Sequence, residues 1–306
     1  PGGPIQQIMQ QMTDAQSGGG QQDVNISEEV LKNLREQYGF DKPILVRYFL
    51  WLKDVVSLNF GQSLIYEKPA IDVITSKFPV SLQFGLTSLF CAYFIAIPLG
   101  IAKAVRDKSR FDYLTSIGIF LAHSTPGFVL GVLLIVFFGG GSFLNFFPIG
   151  GLYSDNYESL SFIGKFLDRT HHAILPVICY MVSHIAVLTM LMKNSLIQEI
   201  SKDYIKTAKA KGVRSVWVIY KHALRNALIP IATGVGNVFS LIFAGSLLIE
   251  TVFNLDGIGY LTYTSVLKRD YTVIMASVTI HSLLIMAGNL FSDVILVLVD
   301  PRIDFD

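Results

Sequence analysis

The stretch Gln198–Pro230, QEISKDYIKTAKAKGVRSVWVIYKHALRNALIP, lies between two long apolar segments, and the rest of the chain is organised around it. It carries Lys202, Lys206, Lys209, Lys211, Arg214, Lys221 and Arg225, with Lys193 just before, against Glu199 and Asp203. Ala208 and Ala210 are strong helix formers, and Tyr204, Ile205 and Ala208 fall at helical spacing, so the first part predicts a helix. Gly212 interrupts it, because glycine takes left-handed backbone angles cheaply and a helix can end there. A second helix is expected, with Val216, Ile219, Tyr220, Ala223 and Leu224 on one face. The product is a basic helix-turn-helix elbow outside the hydrocarbon, with a short first helix that another protein can grip. Composition alone also fits a loop that only fixes topology.

The flanking segments belong to five expected membrane spans: Pro79–Ala102, Tyr113–Phe138, Ala173–Met192, Leu228–Ile249 and Val273–Val299. Each reaches the ~20 residues needed to cross a bilayer core. Internal Pro98, Pro126 and Pro176 are tolerated where neighbouring helices satisfy the freed backbone groups. Residues are 52% hydrophobic and 15% charged, against about 25% charged in soluble domains. The net charge of +1 gives no sign of nucleic-acid binding. Cys91 and Cys179 both sit in apolar segments, with no disulfide framework or metal spacing.

Residues 103–112 and 193–227 carry twelve Lys/Arg, whereas 139–172 and 250–272 carry four. The positive-inside rule puts the first pair and the tail DPRIDFD in the cytoplasm. Residues 1–78 then lie outside as a periplasmic region, and 79–306 form the transmembrane domain. An external start implies a further helix ahead of Pro1, giving six spans with both ends inside. Residues 1–25 are Gln- and Gly-rich and read as a flexible lead. A helix with Val30, Leu31 and Leu34 on its apolar side is expected next. PILVRYFLWLKDVV, opened by Pro43, is amphipathic. It either lies on a membrane surface through Tyr48, Trp51 and Leu52 or packs as a small subdomain. Ala70–Lys77 reads as one more helix.

The external loop 139–172 reads as a flexible rim or part of a docking surface, with His171 and His172 at the membrane interface rather than on a metal. In the second external loop, Gly257 and Gly259 suggest a tight re-entrant turn after Glu250. Within the spans, His123, His184, His281, Asn289 and Asp293 are the polar groups of note. Intramembrane ionisable groups are costly and usually face the bundle interior. They fit either a proton relay or neutral hydrogen-bonded packing, and no repeated acid on other spans supports the relay. There is no G-x-x-x-x-G-K-[ST], nucleophile elbow or HExxH, so this chain holds no P-loop and no recognisable catalytic centre.

KTAKAKG followed by HALRNALIP resembles the EAA loop of ABC importer permeases in its peptide-permease form, with Lys206 where the general consensus opens on an acid. ETVFN, GIG and RDY resemble that family's last external loop, with Leu255-Asp256 replacing the usual residue-proline pair. DPRI at 300–303, PGFVLGVLLIVFF, IPLGIAKAV and GFDKPILVRYFLWL match its pattern, and Pro1-Gly2-Gly3-Pro4 resembles the PGDP after its first span, with Gly3 in place of the acid. The length before the second span is similar to that of the YejB-type oligopeptide permeases. The resemblance implies an all-α polytopic membrane bundle of the type I importer permease fold, multi-pass in the bacterial inner membrane. It implies a coupling helix docking into a groove on an ATPase subunit through Tyr204, Thr207, Ala208, Lys211, Gly212, Val213 and Arg214, with Ala208 flush against the groove. It implies docking of a periplasmic peptide-binding protein near Glu250, Asn254, Gly257, Gly259, Arg269 and Asp270. A homologous second permease would complete the path, and ATP and Mg would bind the ATPase, leaving no cofactor and no enzymatic activity here. Other classes that the residues leave open are a proton-coupled secondary transporter and a structural membrane subunit.

Overall fold

In a computed structural model, residues 41–63, 65–140, 143–234 and 246–299 are described. Their helices are α1 Ile44–Val56, α2 Ala70–Val105, α3 Arg110–Ser124, α4 Gly127–Phe138, α5 Phe162–Ile200, α6 Asp203–Ala210, α7 Ser215–Trp217, α8 Leu224–Ala227, α9 Ile229–Thr233, α10 Leu247–Val252, α11 Ile258–Leu267 and α12 Tyr271–Val299. Among the described residues there is no strand, only isolated bridges pairing Gln62 with Pro69 and Gly139 with Phe147. The flexible lead, the helix expected around Val30–Leu34 and the tail DPRIDFD lie outside the described residues.

Helices α2, α5 and α12 are long and apolar enough to cross a membrane. Ala70–Lys77 and the first expected span are one helix, α2. The third span is longer than its apolar run, because α5 begins at Phe162 with Ser161 as cap, its Oγ accepting from Gly164 N–H. Asp168, Arg169, His171 and His172, which read as loop by polarity, are therefore helical. The second span is broken: α3 and α4 are bent by 99° at Thr125–Pro126. Proline removes an amide donor and pushes its predecessor out of the helical region, and Thr125 is extended (φ −85°, ψ 120°). Half of the fourth span, residues 235–245, lies outside the described residues. Its two described ends are α9 and Ser246–Ile249.

The chain divides into two compact units, one of residues 1–74 with 264–279 and one of 75–263 with 280–306. The first therefore includes a segment from late in the chain, which the division at residue 78 did not contain. In it, α1 ends at Ser57 and Leu58 (φ 54°). A hairpin comes next, in which Ala70 N–H donates to Gly61 O (3.0 Å). Ser63 Oγ donates to the buried carboxylate of Asp270.

The second unit has two apolar clusters. One joins Ile101 and Ala104 of α2, Met192 and Leu196 of α5, and Ile205, Val218, Ala223, Ala227 and Ile231. The other joins Phe84, Leu175, Val177, Cys179, Ile249, Phe253 and Leu255. At Gly100 α2 and α5 approach so closely that a Cβ would lie 2.6 Å from Met192 Cβ. The first basic loop is braced by a buried ion cluster. Lys103 Nζ, fully buried, lies 3.0 Å from Asp112 Oδ1 and donates to Thr115 Oγ1 and Ser116 Oγ. Lys193 Nζ lies 2.7 Å from Asp112 Oδ2 and 2.9 Å from Asp107 Oδ1.

Candidate functional site

The elbow is built as its residues dictate. Helix α6 starts with Asp203 in its first turn and ends where Gly212 adopts φ +77°. Gly212 N–H donates to Lys209 O (3.0 Å) and Val213 N–H to Ala208 O (3.3 Å), the paired bonds of a Schellman ending that satisfy two otherwise orphaned carbonyls. Ile205 is fully buried, while Lys206, Thr207, Lys209, Lys211 and Arg214 are exposed. Ala208 and Val213 are half-buried against the apolar cluster beneath, so both turn into the elbow itself. The Lys206–Asp203 pair is a surface contact of 2.8 Å, of a kind worth little. Tyr204 is 40% exposed, and its hydroxyl donates to the buried Glu199 and accepts from Asn226 Nδ2 (3.1 Å). This fastens α6 to α8.

The second helix departs from the expected pattern. Helices α7 and α8 are joined without a break by a π turn, Val218–Ala223. Such a turn holds one residue more than an α turn and rotates the face by that residue. Val218 and Ala223 are consequently buried, and Val216 and Tyr220, expected to share a face with Ala223, are 64% and 57% exposed.

The external turn is organised around Glu250, which is 1% exposed. Its Oε2 accepts from Tyr260 N–H (2.7 Å). Its Oε1 accepts from Ser81 Oγ (3.2 Å), Tyr180 OH (3.3 Å) and Ser246 N–H (3.3 Å). Ser81 Oγ in turn accepts from Ile258 N–H (2.8 Å). Two side chains from other elements thus cap the start of α11, whose first amides lack partners in their own helix. Burial pushes the Glu250 carboxyl above its ordinary range, while the donors pull the other way. A Cβ on Gly257 would lie 2.6 Å from the Glu250 carboxyl, and one on Gly259 2.7 Å from Leu247 N. These glycines are what let the loop fold over the acid. Glu250, Gly257, Gly259 and Asp270 are buried and offer no side chain to a docking protein, whereas Asn254 (φ 51°) and Arg269 (φ 57°) are exposed.

A cavity of about 390 Å³ adjoins this turn, walled by Ser88, Phe128, Tyr180, Ser183, His184 and Leu248 among others. Tyr180 belongs both to its wall and to the Glu250 network. His184 is exposed to the cavity, His123, Asn289 and Asp293 are distributed along other helices, and His281 is half-buried. His171 and His172 engage the backbone carbonyls of Phe146 and Asp168 at 2.6 and 2.9 Å. Among the described residues no three His, Cys, Asp or Glu gather as a metal site. The sequence reading missed Ser81 and Tyr180, whose only sign was a hydroxyl in an apolar run.

Residues 96–305, which include the elbow and the external turn, match the profile of the "Binding-protein-dependent transport system inner membrane component" family. The chain belongs to that family. The permease is 42% identical over 330 residues to the "Peptidoglycan transport system permease protein YejB" of Agrobacterium fabrum, covering 100% of this chain and 91% of the relative. It is 42% identical over 296 residues to the "Inner membrane ABC transporter permease protein YejB" of Escherichia coli O157:H7, covering 96% and 80%. It is 35% identical over 284 residues to the "Oligopeptide transport system permease protein AppB" of Bacillus subtilis, covering 92% and 88%. The fold is the multi-pass helical membrane subunit of that family, a transport component.

Proposed function

We propose that this chain is the transmembrane permease subunit of an ATP-binding cassette importer that moves oligopeptides or peptide-like compounds across the bacterial inner membrane. The observation that carries this is the elbow: a short helix, stopped by Gly212 at φ +77°, with Lys206, Thr207, Lys209 and Lys211 facing outward over a sealed apolar base. A cytoplasmic ATPase bearing two nucleotide sites grips that helix and supplies ATP and Mg. A homologous second permease faces this one, and a periplasmic peptide-binding protein delivers substrate. The named substrates and systems of the relatives support the peptide class. Of the apolar window of α12, only 6% is buried within the chain, which suits a helix awaiting lipid or a second subunit. Substrate moves by differential binding to two states, with no covalent step.

The test uses the exposed face of α6. Thr207→Trp and Lys211→Glu should leave the membrane level of the permease near normal, because neither side chain is buried. ATPase co-purification and peptide-stimulated hydrolysis in reconstituted vesicles should fall to a small fraction of wild type. Full transport by both variants would mean that the elbow is not the docking site.

A further inference from the structure

The cavity of about 390 Å³ beside the external turn lies wholly within the second unit and has two unlike sides. One side is a stripe on α5. Tyr180, Ser183 and His184 stand at i, i+3 and i+4 and so share one face of that helix. Among the described residues, neither the Ser183 hydroxyl nor the His184 ring has a hydrogen-bond partner. The Tyr180 hydroxyl donates to Glu250 and accepts from Ser246 N–H, which leaves it one lone pair. The other side is apolar, formed by Phe128 of α4 with Leu248 and Ile249 of α10. The space opens where α3 and α4 turn by 99°, and Pro126 and Gly127 at that bend project little side chain into it. A Cβ on Gly127 would lie 3.1 Å from Cys179 O and 3.2 Å from Ile249 Cδ1, so the bend is seated closely on both neighbours.

We infer that this cavity binds an uncharged segment of a peptide in transit, with main-chain amides on the α5 stripe and a side chain against the apolar wall. The inference rests on the reading of the chain as a peptide permease, and adds to it a site and a selectivity. No Asp, Glu, Lys or Arg lines the cavity. A charge brought in from water would lose hydration there without gaining a counter-ion. A peptide main chain is neutral and carries a donor and an acceptor at each residue.

The stripe matches that chemistry. Tyr180 has an acceptor to spare, while Ser183 and His184 can each donate or accept. Three such groups in a row on one helix suit successive amides. A lipid acyl chain in the same space would leave them all unsatisfied, which is costly for polar groups shut away from water. The volume lies at the low end of the roughly 300–1,000 Å³ of small-molecule sites, so the cavity takes part of a peptide at a time.

The test is thiol protection in the assembled transporter, reconstituted in phosphatidylethanolamine–phosphatidylglycerol vesicles. Ser183→Cys and Leu248→Cys place thiols on the two sides of the cavity, and Asn156→Cys places one in the loop 139–172 as a control. All three positions are exposed, so folding is not at stake. Alkylation by N-ethylmaleimide is followed by site-resolved mass spectrometry, which separates these thiols from Cys91 and Cys179. The probes are a leucine-centred tripeptide of alanines, acetylated and amidated, and its counterparts with lysine or glutamate at the centre. The uncharged probe should slow alkylation severalfold at Ser183→Cys and Leu248→Cys and leave Asn156→Cys unchanged, and the charged probes should protect none. No protection by any probe, equal protection by all three, or protection at Asn156→Cys as well would overturn the inference. Failure of the reagent to reach either cavity thiol would show a space closed to solutes, which also overturns it. ATP-driven uptake of trialanine by the same vesicles tests the permease reading separately. Uptake without protection removes the site alone, and protection without uptake keeps the site while removing the permease reading.

Discussion

Glu250 and Asp112 are both carboxylates sealed from water, and they are held by different means. Asp112 lies between two ammonium groups, Lys103 and Lys193. Glu250 is paired with no cation among the described residues and is held by two backbone amides and two hydroxyls. A charge set between charges is bound by attraction that tolerates small displacements. A charge held by neutral dipoles depends on direction, because a hydrogen bond weakens steeply when its angle opens. The basic loop is thus fastened firmly, and the external turn is fastened in one geometry.

Changing acid to amide at both positions separates the two cases. Asp112→Asn should have the larger effect, roughly 3–5 kcal/mol, because it leaves two lysines at a buried site without their shared counter-charge. Fluorescence-detected size exclusion after heating the purified permease should register a marked fall in midpoint. Adding Lys103→Met should recover part of it. A loss no greater than that at Glu250 would remove the distinction.

Gly257→Ala comes next. Its methyl would enter the space of the Glu250 carboxyl, 2.6 Å away, and the acid is too well held to retreat freely. About 2 kcal/mol is expected on the same heating assay. A neutral outcome would show that the turn has more freedom than the four bonds suggest.

Glu250→Gln should be mildest, about 1 kcal/mol. The Ser81 and Tyr180 hydroxyls can rotate to accept from the new amide, and only the Ser246 N–H must give up this partner, keeping Tyr180 OH at 3.0 Å. A cost equal to that of Asp112→Asn would mean that the charge itself, rather than the acceptor geometry, holds the turn.

Legibility in the sequence divides along similar lines. Helix α6 and its ending were legible because Ala208, Ala210 and Gly212 act locally. The membrane-crossing stretches of α2, α5 and α12 were legible because hydrophobicity over some twenty residues outweighs local exceptions. Pro126 was visible but ambiguous, since a proline in a span either kinks it slightly or breaks it, and the neighbours decide. The first helical turns of α5 were hidden by polar residues that are solvated on a helix as readily as in a loop. The network of Glu250 could not be read at all, because Ser81 and Tyr180 are far from it in the chain. Ala208 was placed against a partner by resemblance, and its half-burial on the base of its own elbow depends on residues beyond the helix that carries it.

The π turn at Val218–Ala223 sets a dimension. A single deletion there would close the turn to an α turn and swing everything before it by about 100° relative to α8. Val218 would leave the base and a neighbour would enter. A substitution at Val216 or Tyr220 disturbs nothing comparable, since both side chains are already outside. Diversity in this part of the chain is therefore expected as exchanges of side chains, with insertions and deletions shut out between Gly212 and Pro230.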